Sequence, residues 1–539
     1  MKDYTKKQKI LIVLGLTLFI LIGSGITYAA LTWATSNPIN IGLTSGCFEI
    51  NYTPGGAINN ANVEVMNEST LISNNKFTIT DGIALTYANI GIKSTCTIEG
   101  YGSLYLNVTS LSNAFSTGSS KGSLKYAILN NTSSVSTPSV SSLKGQSFDI
   151  VKKGTITATG TTEILKKQLS NSTQNKYLIV FYIDGSLIGN DVIGSTFAGN
   201  ISADAHQGTA PVNTVELLTD LYTNATKTTA TLDSVTYNLA SSVGLMNDRE
   251  GSSSVGADAG NIRYYGANPN NYIYFNCSDY KNQSSSTCET WRIIGIVDGK
   301  MKIIRGSQIG SYSWDTSDSS TNSGYGVNEW SQADLMKLLN SGYDSESVGG
   351  SLYWNAKSGT CYNGSSNATT SCNFTSTGLK NDTTRNMIAE TIYYTRGHNN
   401  SSIFVGAMYD KERVSGTVVS ATPTRTLTWT GKVAVAYPSD YGYAADLSLC
   451  QKQLGSYNDA TCTANNWMKN IIVPNYGWLL TPNSGRANDA WFVNSSGSVD
   501  NNYGNAYYAG GVAPVLSLTS ELDIGSGSGT SSSPYQLSV

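Results

Sequence analysis

From about residue 40 to 210, apolar and polar residues alternate in short stretches. Phe48-Glu49-Ile50-Asn51-Tyr52 alternates before a turn at Thr53-Pro54-Gly55-Gly56, and Ser103-Leu104-Tyr105-Leu106-Asn107-Val108 alternates again. A period of two sets one face of a strand on a core and the other in water. Tyr177 to Ile183 departs from it: every residue is apolar until the turn pair Asp184-Gly185. Such a run reads as a central strand buried on both faces. Phe197 to Ala205 follows as a further strand. Several strands without long helical stretches predict one all-β sandwich over residues 35–212.

The pattern then changes. Val215, Leu217, Leu218, Leu221 and Tyr222 recur at helical spacing, so 213–260 is expected as a helix and linker opening a second region. That region, 261–522, mixes strands with short helices and is expected to be α+β. Trp291 to Val297 runs through Asp298-Gly299 into Met301 to Ile304, a hairpin signature. Ser331 with Asp334 resembles a capping box opening a helix through Leu339. Thr383 to Tyr394 is expected as a second helix. Pro438 opens a third, with Ser439 as N-cap. Ala490 to Val493, a turn at Ser496-Gly497 and Val512 to Leu518 return to strand. Residues 523–539 read as a Gly/Ser-rich tail with a final short strand. Eight of the nine tryptophans lie beyond residue 213, as core for a domain with little regular sheet.

The N-terminus adds an address. Lys2, Lys6, Lys7 and Lys9 precede an apolar run from Ile10 to Ile22, and no charge appears until Glu49. Thr27-Tyr28-Ala29 and Thr32-Trp33-Ala34 offer small residues for cleavage. Uncut, residues 10–34 would make a helix of about 37 Å at ~1.5 Å per residue, enough for a bilayer core of ~30 Å. Residues 1–34 therefore fit a cleaved signal peptide or a retained signal anchor, and the shortness of the purely apolar run favours cleavage. The basic head stays inside and the remainder is exported. Any membrane contact is expected through residues 10–34 alone.

Cysteine spacing agrees with export. Cys277 and Cys288 are eleven apart, Cys361 and Cys372 eleven, Cys450 and Cys462 twelve. Cys47 and Cys96 stand apart in the N-terminal third. The couples are too wide for zinc knuckles and lack nearby histidine, and no Cys-x-x-Cys occurs. Four disulfides are expected, Cys47–Cys96, Cys277–Cys288, Cys361–Cys372 and Cys450–Cys462, in a protein working outside the reducing cytosol. Closing a loop of this size stabilises by roughly 3 kcal/mol.

Composition narrows function further. Charged residues make up only 13% of the 539 residues, against about a quarter in an average soluble domain. The surface is thus expected to be hydroxyl and amide, typical of a β-rich extracellular protein. A net charge of −3 without a basic stripe argues against nucleic acid as partner. The two histidines, His206 and His398, have no nucleophile motif such as Gly-x-Ser-x-Gly around them. A thiol enzyme would need a reduced cysteine, and every cysteine has a neighbour to bridge. No enzymatic activity is expected.

Two resemblances rest on particular blocks. Thr32-Trp33 after the apolar segment, with Asp184-Gly185 through Asn190-Asp191-Val192 to Thr196-Phe197, resembles secreted TasA/camelysin-type proteins of Gram-positive surfaces and biofilms. That likeness spans roughly residues 10–210 and implies an extracellular β-sandwich. It carries no His-Glu-x-x-His, so no peptidase activity follows. The second region carries Asn261-Ile262-Arg263-Tyr264, Trp291-Arg292-Ile293-Ile294-Gly295, Asn328-Glu329-Trp330-Ser331, Trp429-Thr430-Gly431-Lys432-Val433, Tyr437-Pro438-Ser439-Asp440-Tyr441 and Trp478-Leu479-Leu480-Thr481-Pro482. These resemble a domain repeated in surface proteins of Firmicutes and related gut bacteria. Its closing pattern, Gly497 through Gly511-Val512-Ala513-Pro514-Val515, is similar to the C-type-lectin-like fold shared with formylglycine-generating enzymes. The resemblance implies such a fold for residues 261–522. Val512-Ala513-Pro514 stands where those families carry Phe-Arg, and no Glu-Pro-Asn or Gln-Pro-Asp sugar triplet is present.

Candidate contacts cluster near the last hairpin. Trp491, Asn501, Asn502, Tyr503, Tyr507 and Tyr508 combine flat apolar rings with amides, as a carbohydrate or protein surface requires. Asp489, Asn494 and Asp500 could offer oxygen ligands to calcium, the one cofactor considered, although turns select Asp and Asn for backbone reasons too. Asp315 and Asp318 are a similar case. The expected function is an adhesin-like surface protein, secreted or anchored to the outer face of the membrane. It would bind an extracellular glycan or protein ligand through its C-terminal domain. The alternative is a fibre subunit that homopolymerises through its sandwich.

Overall fold

The computed structural model describes residues 43–45, 48–59, 63–94, 100–169, 174–207, 210–248, 260–316, 326–418, 425–473, 475–502 and 504–539. The expected signal or anchor segment 1–34 and the cysteines 47 and 96 lie outside them. The chain divides into two compact units, Met1–Ala210 and Pro211–Val539. Among the described residues no helix is long and apolar enough to cross a membrane. The molecule is predominantly β-sheet.

In the first unit one sheet runs in the order Leu43–Ser45, Phe48–Pro54, Ala84–Ser94, Gln174–Asp184, Leu124–Asn130, Ser147–Thr155, Lys76–Thr78 and Ile72–Ser73. A second sheet runs Gly160–Leu169, Gly100–Leu111, Phe197–Gln207 and Ile58–Asn59. Side chains of both meet in one core, including Ile90, Leu106, Ile128, Leu165, Ile179 and Ile201. The structure explains the unbroken run at 177–183. Tyr177, Ile179, Phe181 and Ile183 face the core between the sheets. Leu178, Val180 and Tyr182 face the other way, into a second cluster with Phe77, Leu143 and Phe148. With both faces covered there is no water side on which a polar residue would be favoured. The strand ends where Asp184 accepts the backbone N–H of Ser186 at 3.0 Å.

The second unit is built on a sheet ordered Thr228–Leu232, Val235–Ala240, Leu245–Asn247, Ile262–Tyr264, Glu289–Val297, Lys300–Arg305, Val515–Ser517 and Val433–Ala434. Tyr272–Phe275 adds to Glu289–Val297 from the side. The hairpin expected at Asp298-Gly299 is present, and both turn residues have positive φ, +51° and +73°, as a tight two-residue turn requires. A smaller sheet runs Ser311–Ser313, Ala509–Gly511, Gly477–Pro482, Ala490–Val493 and Val499–Asp500. Trp291, Trp314, Trp330 and Trp491 are among the largest fully buried side chains.

Several local expectations change. The helix Thr214–Asn224 forms, capped by Asn213 Oδ1, which accepts from Val215 and Glu216 N–H. The stretch read as linker after it instead supplies three strands of the main sheet. The helix expected over 383–394 is only Asp382–Asn386; Thr391–Tyr394 is a strand paired with Thr428–Gly431. Its β-branched and aromatic residues favour the pleat once a partner strand is available. Ser331 caps nothing. It sits in a tight turn with its N–H and hydroxyl donated to Glu329 Oε1, and the helix Asp334–Leu339 opens after Ala333. Ser439 is not an N-cap either: Tyr437 occupies that place, with Pro438 in the first turn. The tail is structured. Asp523–Ser526 lies between Val212–Asn213 and Gln536–Ser538, and Ile524 and Leu537 join the core.

Three disulfides tie loops to this core. Cys277–Cys288 closes the connection between two paired strands, and Cys361–Cys372 crosses the hairpin Ser358–Gly364/Ala368–Asn373. Cys450–Cys462 joins a loop to the helix Ala460–Ala464. The last two pairs sit inside the hydrophobic clusters. The cystines are therefore anchors that fasten polar loops to packed side chains.

Candidate functional site

Buried charge organises the second unit before any surface does. Asp440, in the helix Pro438–Tyr443, accepts from Arg263 Nη1 at 2.8 Å through Oδ1, and from Lys302 Nζ at 2.5 Å and Tyr437 N–H at 3.0 Å through Oδ2. Arg263 donates its Nε to Asp248 Oδ2 at 2.5 Å and lies 5.0 Å from the ring of Tyr443. Burial alone would raise the Asp440 carboxyl. The charges of Lys302 and Arg263 outweigh it and hold the group well below the ordinary carboxylate range. Nearby, Glu412 accepts the N–H of Ser439 at 2.9 Å and pairs with Arg413 at 3.0 Å. Burial pushes Glu412 up to about 7, against the pull of Arg413. These side chains are sealed from solvent. They explain the Asn261–Tyr264 and Tyr437–Tyr441 blocks as a hub that fixes a one-turn helix to the sheet.

An open site lies on the smaller sheet. Trp478 and Phe492 come from the paired strands Gly477–Pro482 and Ala490–Val493. They form the floor of an apolar pocket of about 420 Å³, with Tyr476, Gly504, Tyr508, Ala509 and Gly510 around it. Trp478 is held by Nε1 donating to the Tyr312 carbonyl at 2.9 Å. A Cβ at Gly510 would stand 2.5 Å from that Nε1, so only glycine lets the strand pass over the indole. Tyr476 and Tyr508 are 57% and 46% exposed. Tyr476 lies 5.9 Å from Phe492, and Tyr508 lies 4.4 Å from Tyr507, between ring centres. Two accessible phenols over an apolar floor can take a flat apolar face and direct a hydrogen bond at its edge.

The predicted contact residues divide. Tyr508 lines this pocket and the ring of Tyr507 lies tilted against it. Trp491 does not: it is fully buried and donates Nε1 to the His398 carbonyl at 2.9 Å. Asn501 is also buried, its carbonyl accepting from Asn483 Nδ2 at 2.7 Å. Asn502 is exposed, with its N–H on Asp500 Oδ1 at 2.9 Å. Tyr503 and Asp318 lie outside the described residues. Tyr476, Trp478 and Phe492 completed the set. Trp478 belonged to a quoted block, but nothing in the spacing of Tyr476 joins it to Tyr508.

The predicted oxygen ligands serve their own turns. Asn494 Oδ1 accepts from Ser496 N–H, Ser496 Oγ and Ser498 N–H. Asp500 Oδ1 accepts the N–H of Asn501 and Asn502. Asp489 pairs with Arg486 at 3.2 Å, burial raising its carboxyl, and its Oδ1 is buried without a partner. Asp315 Oδ2 accepts Val327 N–H at 2.8 Å. Beside it, burial and the Asp315 charge push Asp334 up to about 7. Among the described residues no group of three or more His, Cys, Asp or Glu side chains could hold a metal ion. His206 pairs with Asp204 at 3.1 Å inside a strand and stacks on Tyr101. His398 lies in a loop, pushed down by burial and the charge of Lys411. No family model matches this chain, and no curated protein matches it either.

Proposed function

We propose that this chain is an extracellular surface protein, adhesin-like, whose C-terminal C-type-lectin-like domain binds a glycan or protein ligand at the Tyr476–Tyr508 pocket. The carrying observation is the pair of accessible tyrosines over the Trp478 and Phe492 floor. Such rings stack on the apolar face of a sugar or on a partner's aromatic side chain. Three cystines support an oxidising compartment. The fibre-subunit reading gains no comparable support. Among the described residues the outer strands of both sheets are short, Leu43–Ser45, Ile72–Ser73 and Ile58–Asn59, or charged, Gly160–Leu169 with Glu163, Lys166 and Lys167. Short or charged edges discourage strand addition.

The test is a glycan and extracellular-matrix array with the purified oxidised protein. A hit that the Tyr476→Ala/Tyr508→Ala double variant weakens about tenfold, a loss of ~1.4 kcal/mol from two rings, supports the reading. Silence on the array together with filament formation by the full chain would sink it.

A further inference from the structure

Five basic side chains are buried among the described residues: Arg263, Arg292, Lys302, Arg305 and Arg413. Four of them meet a carboxylate. Arg263 meets Asp248 and Asp440, Lys302 meets Asp440, Arg305 meets Glu289 at 3.0 Å, and Arg413 meets Glu412. Arg292, 7% exposed, meets none. Its partners are neutral: Nε donates to Asn271 Oδ1 at 2.5 Å and Nη2 to the Pro269 carbonyl at 3.3 Å. Its guanidinium carbon lies 3.7 Å from the ring centre of Tyr272 and 5.0 Å from that of Trp467. Asn271 is itself locked, donating Nδ2 to the Ile293 carbonyl at 2.7 Å, and Trp467 donates Nε1 to the Tyr264 carbonyl at 2.9 Å.

An unpaired buried cation is costly, and the cost shows in the direction of its proton affinity: burial lowers Arg292 to about 10. The group is not walled in. It lines an open cleft of about 550 Å³ together with Glu289, Arg305, Asn268, Thr290 and Asn470. Glu289 already answers Arg305 through two contacts, 3.0 and 3.2 Å. One positive charge is left over in the cleft. Asn268, Thr290 and Asn470 are exposed and ring it with amide and hydroxyl groups.

We infer that this cleft is a second binding site, separate from the tyrosine pocket, for a ligand carrying a single carboxylate on a polyhydroxylated ring, an acidic sugar. The fixed guanidinium matches a planar carboxylate, which it recognises more specifically than a point charge would. One surplus charge matches a monoanion. The rim groups match ring hydroxyls, and the volume suits a ligand of one or two sugar rings.

Calorimetric titration of the full oxidised chain with glucuronate, glucose and acetate tests the assignment. Glucuronate binding with no measurable glucose or acetate binding is the expected result. Arg292→Gln should weaken glucuronate at least tenfold, and Arg292→Lys, which keeps charge but not the planar fork, should weaken it several-fold. Asn470→Asp leaves every bond of Arg292 in place while adding a carboxylate to the rim, so it decides the matter if an Arg292 variant fails to fold; it should weaken glucuronate several-fold and leave the unfolding midpoint unchanged. Tyr476→Ala/Tyr508→Ala should leave the glucuronate titration unchanged, whatever it does on the array. Equal binding of glucose or acetate, undiminished binding in folded Arg292→Gln and Asn470→Asp, loss of glucuronate in the tyrosine variant, or no glucuronate binding at all would each overturn the assignment.

Discussion

The two units bury different things. The sandwich core is almost wholly aliphatic and aromatic, and Asp184, paired with Lys125 at 2.6 Å, is its one buried charge among the described residues. The second unit buries Asp248, Arg263, Lys302, Glu412, Arg413 and Asp440 in one region, adds several tryptophans, and fastens its loops with cystines. Long, regular strands let the first unit satisfy most of its backbone by ladders, with side chains such as Asp184 and Ser120 serving the turns. The second is made of short elements joined by irregular loops, and much of its backbone is satisfied by buried side chains. Asn340 accepts from Val433 N–H, Asn328 donates to three carbonyls, and Asp440 caps its own helix. Irregular chain needs such polar struts, since a buried N–H or C=O without a partner costs free energy.

The largest difference between the two units is expected at Asp440. Asp440→Asn leaves Arg263 and Lys302 buried with too little negative charge, and removing one partner of a buried pair costs about 3–5 kcal/mol. Hydrogen exchange read by region should show that loss in residues 211–539 and none in the sandwich. Equal loss in both would mean the hub is not confined to the second unit's stability. Opening a cystine comes next. The double variant Cys361→Ser/Cys372→Ser releases a short loop and should cost roughly 3 kcal/mol in denaturant unfolding of the same region. A loss below about 1 kcal/mol would mean the surrounding core, not the bond, holds that hairpin.

The units should also differ in pH response, each over its own range. In the sandwich, burial would raise Glu68 and Asp184, but hydrogen bonds and charge from Lys125, with Lys153 on Glu68, lower both. Lowered carboxyls contribute stability that is present above the ordinary carboxylate range near pH 4 and lost as pH falls below it. Glu412 and Asp334 in the second unit are raised to about 7. Their contribution is full below about pH 4 and lost as pH rises toward about 7, because the folded state then holds protons the unfolded chain has released. Residues 211–539 should therefore lose stability between pH 4 and pH 7, while the sandwich, whose lowered carboxyls act below that range, does not. Asp334→Asn should flatten part of that slope. A second unit that grows more stable over this range would contradict the assignment.

Legibility followed the same division. Alternation at 48–52 and 103–108 and the solid run at 177–183 marked strands, because pleat period and double burial write themselves into neighbouring residues. The Asp298-Gly299 hairpin was equally plain, as its turn demands positive φ. Thr391–Tyr394 was read as helix because its partner strand lies some thirty-five residues away, and no local pattern records that pairing. The contact residues show the limit most clearly. Tyr508 stood out beside asparagine and glycine, but so did Trp491, and only packing sent one to a pocket and the other to the core. Arg292 sat in a block whose chemistry depends on Tyr272 and Trp467, one twenty residues upstream and the other far downstream.

By itself, the sequence determined the strand periods of the sandwich, the short closures of the three described cystines, and the low surface charge, since each is a property of residues near one another in the chain. Only the tertiary structure decided which aromatics face solvent, which aspartates serve a turn or a buried arginine, and which arginine is left without a carboxylate. Those are properties of what the folded chain brings close, and long-range pairing is set by the packing of whole sheets, not by any short stretch of residues.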